Sequence, residues 1–255
     1  ALGSSGLIYR PMSYTRSGRA AEELRVHKIT PDFAPAAEGS VLIETGNTRV
    51  LCTITVEDKV PSWLAEQNKG WITAEYGMLP RSTQVRSKRD YQRTAGRTHV
   101  IQHLIGRSSR AVTDLNALGQ RKIIVDCDVI QADAGTRTAA VTGSWLALAY
   151  ACDKLLRAGK IPRWPLREQV AAVSLGLLND QVLLDMDYVE DAAASVDLNL
   201  VMTNSGRLIE VQGTGEEATF DRKELDAMLD LGWQGLQPLV ELQRQSLAEK
   251  GINWS

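Results

Sequence analysis

Five carboxylates fall within thirteen residues of this chain, at Asp185, Asp187, Glu190, Asp191 and Asp197 in the segment DMDYVEDAAASVD. Like charges held this close repel and raise one another's pKa unless cations or a metal ion answer them. Asp191 and Asp197 are separated by a turn and a small-residue spacer, so a hairpin-like return would bring both to one oxygen-loving cation such as Mg²⁺ or Mn²⁺. Two carboxylates plus substrate phosphates is the usual Mg²⁺ arrangement. The competing reading is salt bridging to arginines. Asp185 and Asp187 alternate as they would on a strand and read equally as its polar face.

Two arginines sit in small-residue turns that suit a phosphate. Gly135-Thr136-Arg137-Thr138 leaves a strand pattern and opens a helical one, so backbone N–H groups point outward where the helix dipole favours an anion. Arg137 adds a planar fork matched to phosphate oxygens. Gly96-Arg97-Thr98 has the same form at the start of the preceding helix. The bland alternative for each is an ordinary helix cap with a surface arginine. Taken with the carboxylates, the pattern suggests metal-assisted phosphoryl transfer.

Arg81, Arg86, Lys88, Arg89, Arg93 and Arg97 follow one another with only Asp90 opposing. Such a run is either a solvated loop or an arm that grips a strand of phosphates, in which case affinity falls with salt. His99 and His103 are four apart on a helical face but lack a third zinc ligand at workable spacing, which favours surface or interface histidines. No Ser-His-Asp order, Walker-type loop or dinucleotide fingerprint stands out.

The elements that must position these groups are legible in the hydrophobic periodicity. SVLIETGNTRVLCTITV alternates apolar and polar residues around Gly46-Asn47, a hairpin, and Trp71 to Tyr76 is a third strand. From about Thr98, Ile101, Leu104, Ile105, Ser108, Val112 and Leu115 share a helical face, with the helix ending near Gly119. RKIIVDCDVIQAD is a strand with Ile123, Val125, Cys127 and Val129 on one face, followed by the helix TRTAAVTGSWLALAYACDKLL. Strands follow at Val170 to Leu178 and Val182 to Asp187 around Asn179-Asp180, then the hairpin LNLVMTNSGRLIEVQG. Asp221, with Glu224 at the capping-box position, opens a last amphipathic helix to about Leu247. Strands then helix, repeated twice, indicates an α+β fold of mixed sheets with internal pseudo-symmetry.

The totals fit that reading. A chain of 255 residues buries roughly three quarters of its unfolded surface, enough for one large domain or two fused similar halves. A net charge of -2 argues against indiscriminate coating of nucleic acid and confines any such site to a local basic patch. Cys52, Cys127 and Cys152 lack metal-type spacing and read as buried reduced thiols of a cytoplasmic protein. No apolar stretch approaches the ~18 to 20 residues of a membrane helix. Residues 1–12 read as an extension or tag remnant and 13–255 as one domain.

EYGMLPR (75–81), GRT (96–98), DCDVIQADAGTRT (126–138), LDMDYVEDAAASVDLNLVMT (184–203) and IEVQGT (209–214) closely resemble the ribonuclease PH family of phosphorolytic exoribonucleases, which includes polynucleotide phosphorylase. The likeness runs collinearly from about Thr15 to the final helix. It departs at DYQRTA before Gly96, about two residues shorter than usual, and at His99 and His103. The resemblance implies a pseudo-symmetric βαβα-type fold and a phosphate-dependent 3′ to 5′ exoribonuclease that trims tRNA precursors, releases nucleoside diphosphates and runs backwards as a nucleotidyltransferase. It assigns phosphate binding to Arg97, Gly135, Thr136 and Arg137, and the catalytic, metal-holding acidic pair to Asp191 and Asp197. Inorganic phosphate is then the co-substrate and Mg²⁺ the expected cation. Arg81, Arg86, Arg89 and Arg93 are expected at RNA or at contacts within a hexamer built as a trimer of dimers, with neither DNA nor membrane as partner. The alternatives are a hydrolytic metal-dependent nuclease using the same carboxylates and a catalytically inert RNA-binding ring subunit.

Overall fold

The computed structural model describes residues 16, 18–88, 96–215 and 218–253, apart from the side chain of Arg97. The first half contains β1 (His27–Pro31), β2 (Gly39–Thr45), β3 (Thr48–Glu57), β4 (Trp71–Met78), α1 (Gly96–Ala111), β5 (Lys122–Gln131) and α2 (Thr136–Arg157). The second contains β6 (Val170–Leu178), β7 (Gln181–Leu184), α3 (Tyr188–Ala193), β8 (Val196–Thr203), β9 (Leu208–Gly215) and α4 (Arg222–Glu249). The strands form a five-stranded sheet in the order β1-β2-β3-β5-β4 and a four-stranded sheet in the order β7-β6-β8-β9. Within the first, β4 joins β5 in parallel; the second is wholly antiparallel. The expected α+β architecture of strands followed by helices, twice over, is what forms.

Local chemistry explains the hairpins. Gly46 takes φ 54° at the tip of β2 and β3, and Asn179 and Asp180 take φ 50° and 60° between β6 and β7, the left-handed pair that two-residue hairpin turns need. Along β5, Ile123, Val125, Cys127 and Val129 are buried while Asp126 and Asp128 face outward. Helices α1 and α2 cover the inner face of the first sheet, and α2 also packs on β6. The opposite face of the second sheet is covered by α4, whose Asp221 and Glu224 form the expected capping box. The three cysteines are free and buried.

Two elements end short of the periodicity. Helix α1 stops at Ala111 rather than Gly119, because Val112 O accepts from Arg167 N and Asp114 N donates to Pro165 O, which draws the chain off its helical path. β7 ends at Leu184, since Asp185 turns left-handed at φ 52° and Asp187 caps the short helix α3. β1 and α3 are too short and weakly patterned to stand out in the sequence.

The layers approach closely through small residues. A Cβ at Gly39 in β2 would lie 2.1 Å from Ala147 O in α2, so strand and helix touch backbone to backbone. Gly39→Ala should therefore push them apart and cost at least about 1 to 3 kcal/mol, the usual penalty of overpacking. A urea unfolding midpoint equal to that of the parent chain would contradict this packing.

Candidate active site

The turn ahead of α2 is built from residues in unusual conformations. Ala134 and Gly135 are both left-handed, at φ 54° and 64°. Together they swing the end of β5 into the first turn of α2, at Thr136, Arg137 and Thr138. Those first N–H groups have no carbonyl partner inside the helix and are available to an anion. The Tyr76 hydroxyl of β4 donates to Thr136 Oγ1 at 2.8 Å, fixing one hydroxyl of that turn.

Arg137 reaches the second sheet. Its Nη1 donates to Gln212 Oε1 at 2.8 Å. Gln212 on β9 stands directly opposite Asn199 on β8, and the Asn199 amide lies 3.4 Å from the carboxylate oxygens of Asp197. Asp197 is thus the diagonal neighbour of Gln212, about 7 to 8 Å away across the strand pair. The Gly135–Thr138 turn of one half and the carboxylate of the other share one polar rim.

Asp191 arrives by a different route. It lies exposed on α3, which starts with Tyr188 N donating to Asp133 Oδ1 at 3.1 Å. Asp133 is two residues before Gly135, so α3 is bound directly to the turn of α2. The return from Asp191 to Asp197 is therefore a short helix and a strand rather than a simple hairpin. Among the described residues no group of three or more His, Cys, Asp or Glu side chains is arranged to hold a metal. Asp191 and Asp197 suit a cation completed by substrate phosphates and water, not an all-protein cage.

The basic segment borders the same turn. Ala132 N donates to Ser82 O and Leu79 N to Val129 O, seating the loop that bears the exposed Arg81 and Arg86 beside the end of β5. Arg89 and Arg93 lie outside the described residues. Arg97 is in the first turn of α1. Gly106 of that helix is near Ala74, and Arg110 Nη1 donates to Ile72 O, so α1 runs antiparallel to β4 and starts at the end of β4 that carries Tyr76. His99 and His103 are exposed on α1.

The remaining carboxylates of the cluster have structural partners. Asp185 accepts from Arg25 N at 2.8 Å, Arg25 Nη2 at 2.7 Å and Arg25 Nε at 3.2 Å. Glu190 accepts from Arg16 Nε at 2.6 Å and Nη2 at 2.8 Å, and its contact with Asp187 N completes the capping box of α3. Arg19 pairs with both carboxylates. Asp126 and Asp128 face away from the site on the outer side of the first sheet, where burial and then Glu75 raise their carboxyls. Tyr76, Asn199 and Gln212 fall inside stretches that carry the family resemblance but were given no role there, and Arg25 lies outside them; strand register brings the first three to the site, and Arg25 reaches it from the segment ahead of β1.

Residues 23–152 match the first domain of the 3′ exoribonuclease family, and residues 168–235 match its second. Ribonuclease PH of Moorella thermoacetica is 53% identical over 235 residues, covering 91% of this chain and 94% of its own. Ribonuclease PH of Parasynechococcus marenigrum is 51% identical over 238 residues, covering 93% and 96%. The fold is similar to that of rice Rrp46, with a TM-score of 0.74 at 19% identity over 90% of this chain and 98% of that one. It is also similar to a chain of the Archaeoglobus fulgidus exosome with RNA bound to the active site, with a TM-score of 0.75 at 19% identity over 90% and 91%.

Burial alone would raise the Asp185 carboxyl, but the hydrogen bonds and charge of Arg25 outweigh it and leave the group below its ordinary value. A carboxyl depressed in the folded state adds stability above its unfolded pKa of about 3.9 and loses it as pH falls through the folded value. Asp185→Asn should cost about 3 to 5 kcal/mol near neutral pH by stranding the Arg25 charge, and the deficit should shrink below about pH 4. Urea titrations at neutral and acid pH check this; a pH-independent deficit would overturn the assignment.

Proposed function

The chain belongs to the 3′ exoribonuclease family of the ribonuclease PH type, and from that membership we propose that it trims the 3′ ends of tRNA precursors. It is a phosphorolytic exoribonuclease, with inorganic phosphate as co-substrate and nucleotidyl transfer as the reverse reaction. In the proposal, the turn at Gly135, Thr136 and Arg137, together with Arg97, holds the attacking phosphate. Asp191 and Asp197 face the scissile phosphodiester, and Arg81, Arg86, Arg89 and Arg93 follow the RNA or stabilise subunit contacts. The observation that carries this reading is the Arg137–Gln212 bond, which ties the phosphate turn to the strand pair bearing Asp197.

Inorganic phosphate is largely dianionic at neutral pH and needs little activation, so positioning and charge stabilisation dominate. An oxygen of phosphate bonds to the terminal phosphorus as the bond to the preceding 3′ oxygen breaks. A nucleoside diphosphate leaves, and the RNA retains a 3′ hydroxyl. Arg97 and Arg137 hold the nucleophile in line, while backbone N–H groups and the Thr136 hydroxyl meet charge as it spreads over the equatorial oxygens. A divalent cation, Mg²⁺ by the all-oxygen donor chemistry of Asp191 and Asp197, would neutralise charge on the scissile phosphate when bound. Residues 13–255 work as one catalytic unit, assembled into a hexameric ring of three dimers in the cytoplasm.

Arg137→Ala and Asp191→Asn should each lower phosphorolysis by about 10² to 10³, or 2.7 to 4 kcal/mol of transition-state stabilisation, in chains that still fold. The assay is a 3′-extended tRNA with and without phosphate, its products resolved as mono- or diphosphates. Monophosphates released without phosphate would replace this reading with hydrolysis. Near-normal turnover in either variant would remove that residue from the site.

A further inference from the structure

Resting on the phosphate reading above, we infer that Arg25 and Thr48 are positioning residues that aim the backbone N–H groups of the phosphate turn. Neither belongs to a motif, and neither needs to touch a substrate. Both act on the two peptide units ahead of α2. Arg25 Nη1 donates to Asp133 O at 2.5 Å, and Thr48 Oγ1 donates to Ala134 O at 2.6 Å while accepting from Asp133 N at 2.9 Å.

Peptide planarity turns these anchors into orientation. In a trans peptide the C=O and the following N–H point to opposite sides, so gripping Asp133 O from within the protein directs the Ala134 N–H outward. Gripping Ala134 O does the same for the Gly135 N–H. Successive N–H groups presented this way form an anion-binding concavity that continues into the first turn of α2. The conformation is not one the turn would keep unaided. Ala134 is left-handed without being glycine, and such residues persist where their surroundings over-determine them.

Arg25 is held in turn by its three bonds to Asp185, and it fills the space beneath Gly135, where a Cβ would come within 2.9 Å of Nη2. The guanidinium is therefore shared between two jobs: it neutralises Asp185 and it sets the turn. The same Asp133 accepts from Asn47 Nδ2 at 3.1 Å and from Tyr188 N at 3.1 Å, so the β2–β3 hairpin tip and α3 close around the turn. A disturbance of the Asp133 carbonyl should reach phosphate binding before it reaches RNA binding.

Arg25→Lys keeps a cation opposite Asp185 but loses the fork that reaches Asp133, and Thr48→Val keeps shape while removing both hydroxyl bonds. The measurements are the KM for phosphate, the KM for a 3′-extended tRNA, kcat, and the rise in melting temperature on adding inorganic phosphate. Each variant should raise the phosphate KM about tenfold or more and shrink the phosphate-induced rise, with the RNA KM within about twofold of the parent. Folded variants with the parent's phosphate KM, or with losses spread evenly over every parameter, would overturn the inference. Thr48→Val decides the matter should Arg25→Lys not fold, because it leaves the Arg25–Asp185 pair intact. If the parent chain neither releases diphosphates nor gains stability from phosphate, the underlying reading fails with it. If the parent does both and the variants match it, only the positioning role fails.

Discussion

Helix α2 is packed between two sheets, and that burial dictates where the chemistry can occur. Every residue from Thr138 to Cys152 is buried, and the run is rich in Ala, Gly, Ser and Thr, whose small side chains allow close approach from both sides. Gly143 shows how tight the contact is, since a Cβ there would lie 2.9 Å from both Cys52 Sγ and Ile43 Cγ2. A helix enclosed in this way presents unpaired backbone groups only at its ends. Its N-terminus emerges where the inner faces of both sheets give way to polar residues, Tyr76 from the first and Asn199, Asp197 and Gln212 from the second. An anion bound at that mouth meets side chains from both halves of the chain.

Electrostatics sorts the acidic segment into two populations. Asp185 and Glu190 are buried, and each is met by guanidinium groups in close hydrogen-bonded geometry, because an unanswered carboxylate in the interior would be severely destabilising. Asp187 spends its charge on the first turn of α3. Asp191 is exposed to solvent and Asp197 is half-buried at the rim. The repulsion implied by five neighbouring carboxylates is thus relieved by Arg16, Arg19 and Arg25 for the inner members, and the cluster as a whole is not a metal cage. The same arginines bind the N-terminal segment to the second half of the chain, so the scaffold of the site and the closure of the fold rest on shared bonds.

Local signals were legible wherever one stretch of chain sufficed to define the structure. Gly46-Asn47, Asn179-Asp180 and the Asp221 capping box each turned or started an element as their chemistry requires. The alternation of Ile123, Val125, Cys127 and Val129 found the inner face of β5. The signal failed where a distant segment competed. Helix α1 ends early because residues 165–167 pair with the chain beyond Ala111, and β7 is cut short because Arg25 captures Asp185. No window of sequence around either site contains the segment that decides it.

Gly135, Thr136 and Arg137 were legible as a strand-to-helix junction, where glycine, hydroxyl and guanidinium combine backbone donors, dipole and charge over a few residues. Asp191 and Asp197 were likewise visible as an acidic pair. Which carboxylates would be buried, and which cations would answer them, was decided by packing alone. The bonds from Arg137 to Gln212 and from Arg25 to Asp133 join segments 75 and 108 residues apart, and the pairing of Asn199 with Gln212 depends on strand register. Residue type and spacing set the kind of chemistry available to this chain. The convergence of its two halves on one site exists only once both sheets have closed over α2.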